Sequence, residues 1–196
     1  MNICVYGASS NDIPEIYLEK TEELGEKIAK RGHGLVFGAG DNGVMGAAAR
    51  GVKRGGGKIV GVVPSFFNVD GIIYPQCDEL IRPETMRERK QIMEDRADAF
   101  ITAPGGIGTF EEFFEILTLK QLGRHNKPIV LYNLNGYYDG VVNLLEQAIS
   151  QGFMREMCRR LCRVLDDPDE ILGYLENYHE EKIDILHMKN IYNMGE

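Results

Sequence analysis

AFITAPGGIGTFEEFFEILTLKQLG, residues 99–123, decides the fold. Its first five residues form a short apolar, β-rich run. That run stops at Pro104, which cannot donate to a β-ladder. Gly105, Gly106 and Gly108 then make a loop, and Thr109 is expected to open a helix. In that helix Phe110, Phe113, Phe114 and Leu117 recur at i, i+3, i+4 and i+7, which predicts a core-facing stripe with Glu111, Glu112 and Glu115 turned away from it. An unbroken apolar strand that runs through a turn into a helix belongs to a parallel sheet covered on both faces. The same join recurs: ICVYG (3–7) runs into ASSND, GLVFG (34–38) into AGDNG, KIVGVV (58–63) into PSFFN, and PIVLYN (128–133) into LNGYY. Helices are expected from about Pro14 to Lys30, Val44 to Arg54, Met86 to Arg96, Phe110 to Leu122, Tyr138 to Gln151 and Pro168 to Tyr178. The last has Asp166 or Asp167 as N-cap and Pro168 in its first turn. The fold class is therefore α/β, doubly wound.

A length of 196 residues suits one domain, here residues 1–196 with a charged tail at 179–196 that carries no clear element. With 43% hydrophobic and 27% charged residues, the chain can build a core without staples. No apolar run approaches the roughly 18 residues of a membrane span. MNICVYGASS has no basic n-region and is read as a strand, not a signal peptide. The balance of 22 basic against 30 acidic residues, net −8, argues against gripping a nucleic-acid backbone, although a local pocket can still hold a small anion. Cys4, Cys77, Cys158 and Cys162 form no disulfide framework. Cys158 and Cys162 lie four apart on an expected helix but lack a second ligand pair for a metal, so they read as reduced thiols of a cytoplasmic protein.

Three stretches carry chemistry. In FGAGDNGVMGAAARG, Gly38, Gly40 and Gly43 satisfy a G-x-G-x-x-G spacing between a strand and a helix. A dinucleotide site also wants an acid at the end of the next strand, but that strand ends in Pro64-Ser65, and the nearest acid, Asp70, lies well past it. A phosphate or ribose contact and a plain tight turn remain open there. In the second glycine loop, Thr109-x-x-Glu112 has the form of a capping box, and first-turn acids suit the helix dipole. Capping does not need the glycines before Thr109, which argue for a ligand at the loop. In MRERKQIMEDRADAF (86–100), Met86, Met93 and Ala97 make an apolar stripe. Arg89 and Lys90 fall on that same side, either snorkelling from its edge or reaching a bound phosphate or carboxylate. Arg89 and Glu112 can share a site at the C-terminal edge of the sheet, where open α/β sheets bind ligands.

Taken together, these residues resemble the LOG ("lonely guy") family of nucleoside 5′-monophosphate phosphoribohydrolases. Its PGGxGTxxE signature stands here as Pro104 to Glu112, and its MHxRK signature as Met86-Arg87-Glu88-Arg89-Lys90, with Arg87 in place of the histidine. A YGGGxxGLMG-like motif stands as Phe37 to Gly46, with Ala39 interrupting the glycines, and a CGSS-like turn as Tyr6 to Ser10. The likeness runs from the first strand to the helix near Tyr138. It implies a Rossmann-like fold, a homodimer, no metal or organic cofactor, and cleavage of a nucleotide's N-glycosidic bond to free base and ribose 5-phosphate. By matching positions it implies Arg89 and Glu112 as the catalytic pair. Ser9, Gly40, Gly43, Met45, Lys90, Gly105, Gly106, Ile107, Gly108, Thr109, Glu111 and Thr118 are the implied substrate-binding set. No lysine sits in a recognisable pyridoxal-phosphate motif, so the "lysine decarboxylase" label often given to such proteins has no basis in these residues. A non-catalytic nucleotide or cofactor carrier of the same fold is the rival reading, and a sugar transferase a third.

Overall fold

The computed structural model describes residues 1–67 and 71–179. A seven-stranded, wholly parallel sheet has the order β4-β3-β2-β1-β5-β6-β7. Its strands are β1 (Asn2–Tyr6), β2 (Gly34–Phe37), β3 (Ile59–Val62), β4 (Glu79–Ile81), β5 (Ala99–Thr102), β6 (Ile129–Tyr132) and β7 (Arg163–Leu165). The helices are α1 (Glu15–Lys30), α2 (Gly43–Arg54), α3 (Met86–Arg96), α4 (Ile107–Gln121), α5 (Asp139–Ser150) and α6 (Pro168–Glu176). The five apolar runs are the five inner strands. β4 and β7 are additions to the expected set. Each is three residues long and partly exposed at an edge, where a strand needs no continuous apolar run.

Strand alternation sorts the core into two layers. Ile3 and Val5 of β1 face a cluster with Leu24 and Ile28 of α1, Val44 and Val52 of α2, and Ile171 and Leu172 of α6. Cys4 and Tyr6 face the opposite cluster, with Met93 of α3, Phe113 and Leu117 of α4, and Tyr138 before α5. On the first face α1 and α2 approach almost backbone to backbone. A methyl group at Gly25 would stand 2.3 Å from the Ala48 carbonyl oxygen, and one at Gly51 would stand 2.0 Å from that of Glu22.

Two expectations need correction. Helix α4 begins at Ile107 rather than near Thr109, and its buried residues are Thr109, Phe113, Ile116, Leu117 and Lys120. The stripe is rotated from the one expected, leaving Phe114 36% exposed and drawing Glu112 inward. Cys158 lies in a 3₁₀ turn (Glu156–Arg160) that ends before Cys162, so the two do not share a helix; none of the four cysteines forms a disulfide among the described residues. The tail expected after Tyr178 lies outside the described residues from 180 on, as does Asp70. Among the described residues, no helix is long and apolar enough to cross a membrane.

The strand order dictates where a ligand can sit. The chain lays β1 to β4 out in one direction, then returns to place β5 on the other side of β1. Their C-terminal ends diverge at that reversal, and the connecting loops splay to opposite faces, leaving a crevice.

Candidate active site

A cleft of about 530 Å³ opens at this switch point, within the roughly 300–1,000 Å³ range of small-molecule sites. Gly7, Ala8 and Ser9 line it after β1, Gly38, Ala39 and Gly40 after β2, Val63 and Pro64 after β3, and Gly106 to Thr109 after β5. Among the described residues, Arg89 and Glu112 supply its charge. Met45, Phe67, Ile72, Ile73 and Met86 make an apolar wall.

Arg89 is held by three elements. Thr85 and Glu88 form a reciprocal capping box that fixes the start of α3. From the first turn the arginine, 7% exposed, reaches inward. Its Nε donates to the Val62 carbonyl at 3.1 Å, and one terminal nitrogen donates to Glu112 Oε1 at 2.8 Å. Such a charge-assisted contact fixes both direction and distance. The second layer of support is a void. A Cβ on Gly38 would lie 2.1 Å from the other terminal nitrogen. Gly38 of the first glycine loop therefore makes room for the arginine.

Glu112 is not a capping residue. Gly106 is the N-cap of α4, no side chain caps that helix, and the Glu112 carboxylate is engaged with Arg89. Burial pushes its pKa up, and the neighbouring guanidinium opposes that rise without cancelling it.

The two glycine loops have opposite fates. At α2 the protein fills its own helix start. Gly43, with φ of +63°, donates its N–H to Asn11 Oδ1 at 2.7 Å, and the Met45 N–H donates to the Ala8 carbonyl at 3.2 Å. A side chain on Gly43 would strike the Ala8 carbonyl oxygen at 2.4 Å. Ala39 adopts φ of +61°, an uncommon conformation for alanine, and its carbonyl is held by the Tyr74 N–H at 2.9 Å. This loop is a packed turn. At α4, by contrast, a Cβ on Gly106 or on Gly108 would meet nothing within 4 Å. Internal packing does not require these two glycines, and they sit where unpaired helix N–H groups emerge.

The cleft brings together Ser9, Gly40, Met45, Arg89, Gly106, Ile107, Gly108, Thr109 and Glu112. Gly43 lies in the turn just described. Gly105 stands behind the wall, where a Cβ would sit 2.2 Å from Thr109 Oγ1. Lys90 points along the seam between α3 and α4, paired with Glu111 and, at 2.9 Å, with Glu115. Glu111 and Thr118 are on the exposed side of α4. Val63, Ile72, Ile73 and Met86 line the cleft without being among the residues expected there. Met86, in the apolar stripe of α3, is 41% exposed and lines the cleft, whereas Met93 of the same stripe is buried. Ile72 and Ile73 arrive by pairing with the first glycine loop, through Gly40 with Ile73 and an Asp41 N–H to the Ile72 carbonyl, a long-range contact with no local signal.

A doubly wound sheet with its cleft at the switch point and an inward-facing Arg–Glu pair beside an uncapped helix start defines a Rossmann-like α/β protein. The chain belongs to the LOG family, whose model, described as "possible lysine decarboxylase", matches residues 45–175. A cytokinin riboside 5′-monophosphate phosphoribohydrolase of Arabidopsis thaliana is 36% identical over 176 residues, covering 90% of this chain and 83% of its own. One of Oryza sativa subsp. japonica is 37% identical over 179 residues, covering 91% and 74%. Among solved structures, the Moco carrier protein of Chlamydomonas reinhardtii aligns with a TM-score of 0.67 at 26% identity, over 89% of this chain and 94% of the other. The molybdenum cofactor binding protein of Rippkaea orientalis aligns with a TM-score of 0.68 at 23% identity and shares the fold.

Proposed function

We propose that this protein hydrolyses the N-glycosidic bond of a nucleoside 5′-monophosphate, releasing the free base and ribose 5-phosphate. One observation carries the reading: a largely buried carboxylate, Glu112, is held by Arg89 in a cleft whose adjoining wall is the uncapped start of α4. Breaking that bond builds positive charge on the ribose. A carboxylate next to the anomeric carbon stabilises it, electrostatically or as a transient nucleophile. Arg89 fixes the position of Glu112 and favours its ionised form. The N–H groups from Gly106 to Thr109 take the 5′-phosphate, and that remote contact positions the bond to be cleaved. The apolar wall of Met45, Ile72, Ile73 and Met86 receives the base. The names of the relatives favour a cytokinin riboside 5′-monophosphate as substrate.

The same reading carries a homodimer in the cytoplasm. Val141, Leu144, Leu145 and Ala148 repeat at i, i+3, i+4 and i+7 on α5, yet α5 buries none of its residues fully, and Leu144 is 59% exposed. A second copy would cover that stripe.

The likeness to the Moco carrier protein favours, as a second reading, binding without cleavage. Incubation with AMP and with N6-prenylated AMP separates the two. Free base and ribose 5-phosphate are the expected products; tight retention of intact nucleotide supports the carrier.

A further inference from the structure

The β5–α4 loop has three successive carbonyls, and each is held by a donor from outside the loop. The Tyr138 hydroxyl donates to the Ala103 carbonyl at 2.7 Å, the Ala8 N–H to the Pro104 carbonyl at 3.0 Å, and the Tyr137 hydroxyl to the Gly105 carbonyl at 2.7 Å. In a trans peptide the C=O and the following N–H point in opposite directions. Holding the Gly105 oxygen therefore sets the direction of the Gly106 N–H. Glycine would otherwise leave that peptide plane free to rotate, because a Cβ at Gly106 would touch nothing. Tyr138 is buried and belongs to the core, but Tyr137 is 41% exposed and stands edge-on to Tyr17 at 5.8 Å and to Tyr138 at 5.0 Å. Its hydroxyl lies outside the cleft wall, so it touches the loop from behind.

We infer that Tyr137 is a positioning residue: through the Gly105 carbonyl it holds the Gly106 N–H in the direction that receives the substrate's phosphate. This rests on the function proposed above. Tyr137 contributes no atom to the reacting bond. Its loss weakens phosphate binding without changing the chemical step.

The test uses Tyr137→Phe, which keeps the ring and its edge contacts and removes only the hydroxyl. In the full-length chain carrying Glu112→Gln, which binds without turnover, the affinities for AMP and for adenosine are measured with and without Tyr137→Phe. One lost hydrogen bond predicts AMP binding weaker by roughly five- to tenfold, with adenosine unchanged within about twofold. In the parent background the KM for AMP rises by a similar factor while kcat holds within about twofold. AMP affinity unchanged by the substitution would overturn the inference. So would equal weakening of AMP and adenosine, the mark of general damage to the cleft. If the Glu112→Gln protein bound no AMP even with Tyr137 intact, the functional reading itself would fall, and the tether with it.

Discussion

Gly38 and Arg89 are complementary in the strict spatial sense: the terminal nitrogen of the arginine occupies the place where a side chain on residue 38 would begin, 2.1 Å away. Arg89 is buried, so it cannot swing into solvent without abandoning Glu112. Gly38→Ala should therefore act on the reaction through displacement of the guanidinium. A shift of about 1 Å in a catalytic group costs on the order of 100-fold. Assays of kcat/KM should show a loss of that order, and a crystal structure of the variant should show the 2.8 Å contact broken.

Replacing Glu112 by Gln keeps its size and its capacity to accept from Arg89 but removes the charge that stabilises a cationic sugar. Turnover is expected to fall by at least about 100-fold. AMP affinity, measured by calorimetry, should stay within a few fold. Release of ribose 5-phosphate at the parental rate would remove Glu112 from the mechanism.

The pH dependence follows from the same residue. Burial raises the pKa of Glu112 above the ordinary carboxylate value of 4.5, Arg89 and Lys90 pull it down, and Glu111 pushes it up. The active form is ionised, so activity should be lost as pH falls through this raised value. The acid limb of kcat/KM should therefore lie above 4.5. Glu111→Gln removes a like charge and should move the limb to lower pH. Lys90→Met removes an opposite charge and should move it to higher pH. A limb that shifted the same way in both variants would show that another group titrates.

Gly108 offers a test in which stability and function part ways. It lies inside α4, and a Cβ there meets open space. Gly108→Ala should stabilise the fold by about 0.5 kcal/mol through helix propensity. The added methyl stands where the phosphate approaches, so AMP affinity should drop. Thermal melting with and without AMP reads both effects: a higher midpoint for the free variant and a smaller ligand-induced rise.

Leu144→Glu probes the α5 stripe. Sedimentation should find the parent as a dimer and the variant as a monomer, with the free monomer's fold intact because Leu144 is 59% exposed.

How much of this was legible beforehand depends on the range of the interaction. The inner strands announce themselves because burial on both faces demands an apolar run, and α3 spans Met86–Arg96, the limits expected. The edge strands β4 and β7 face solvent and carry no such mark. At the site, Arg89 stood out as a cation on an apolar side, and Glu112 as a carboxylate beside a glycine loop. Two local rules left more than one reading open. The Thr109-x-x-Glu112 spacing fits a capping box, but the helix had already begun, and Glu112 found a partner on another helix. The G-x-G-x-x-G spacing fits a phosphate cradle, but Asn11, 32 residues away, supplies the acceptor at Gly43. Neither partner is visible within a local window.

Among the described residues, the charged side chains lining the cleft are Arg89 and Glu112, which offset each other, while the chain as a whole carries −8. A doubly ionised nucleotide thus diffuses toward a molecule that repels it at long range and meets neutral amides only on contact. Dissolved salt shortens the reach of that repulsion, to about 8 Å at 0.15 M. Capture should consequently become faster as ionic strength rises, the reverse of what governs proteins that seize polyanions with lysines and arginines.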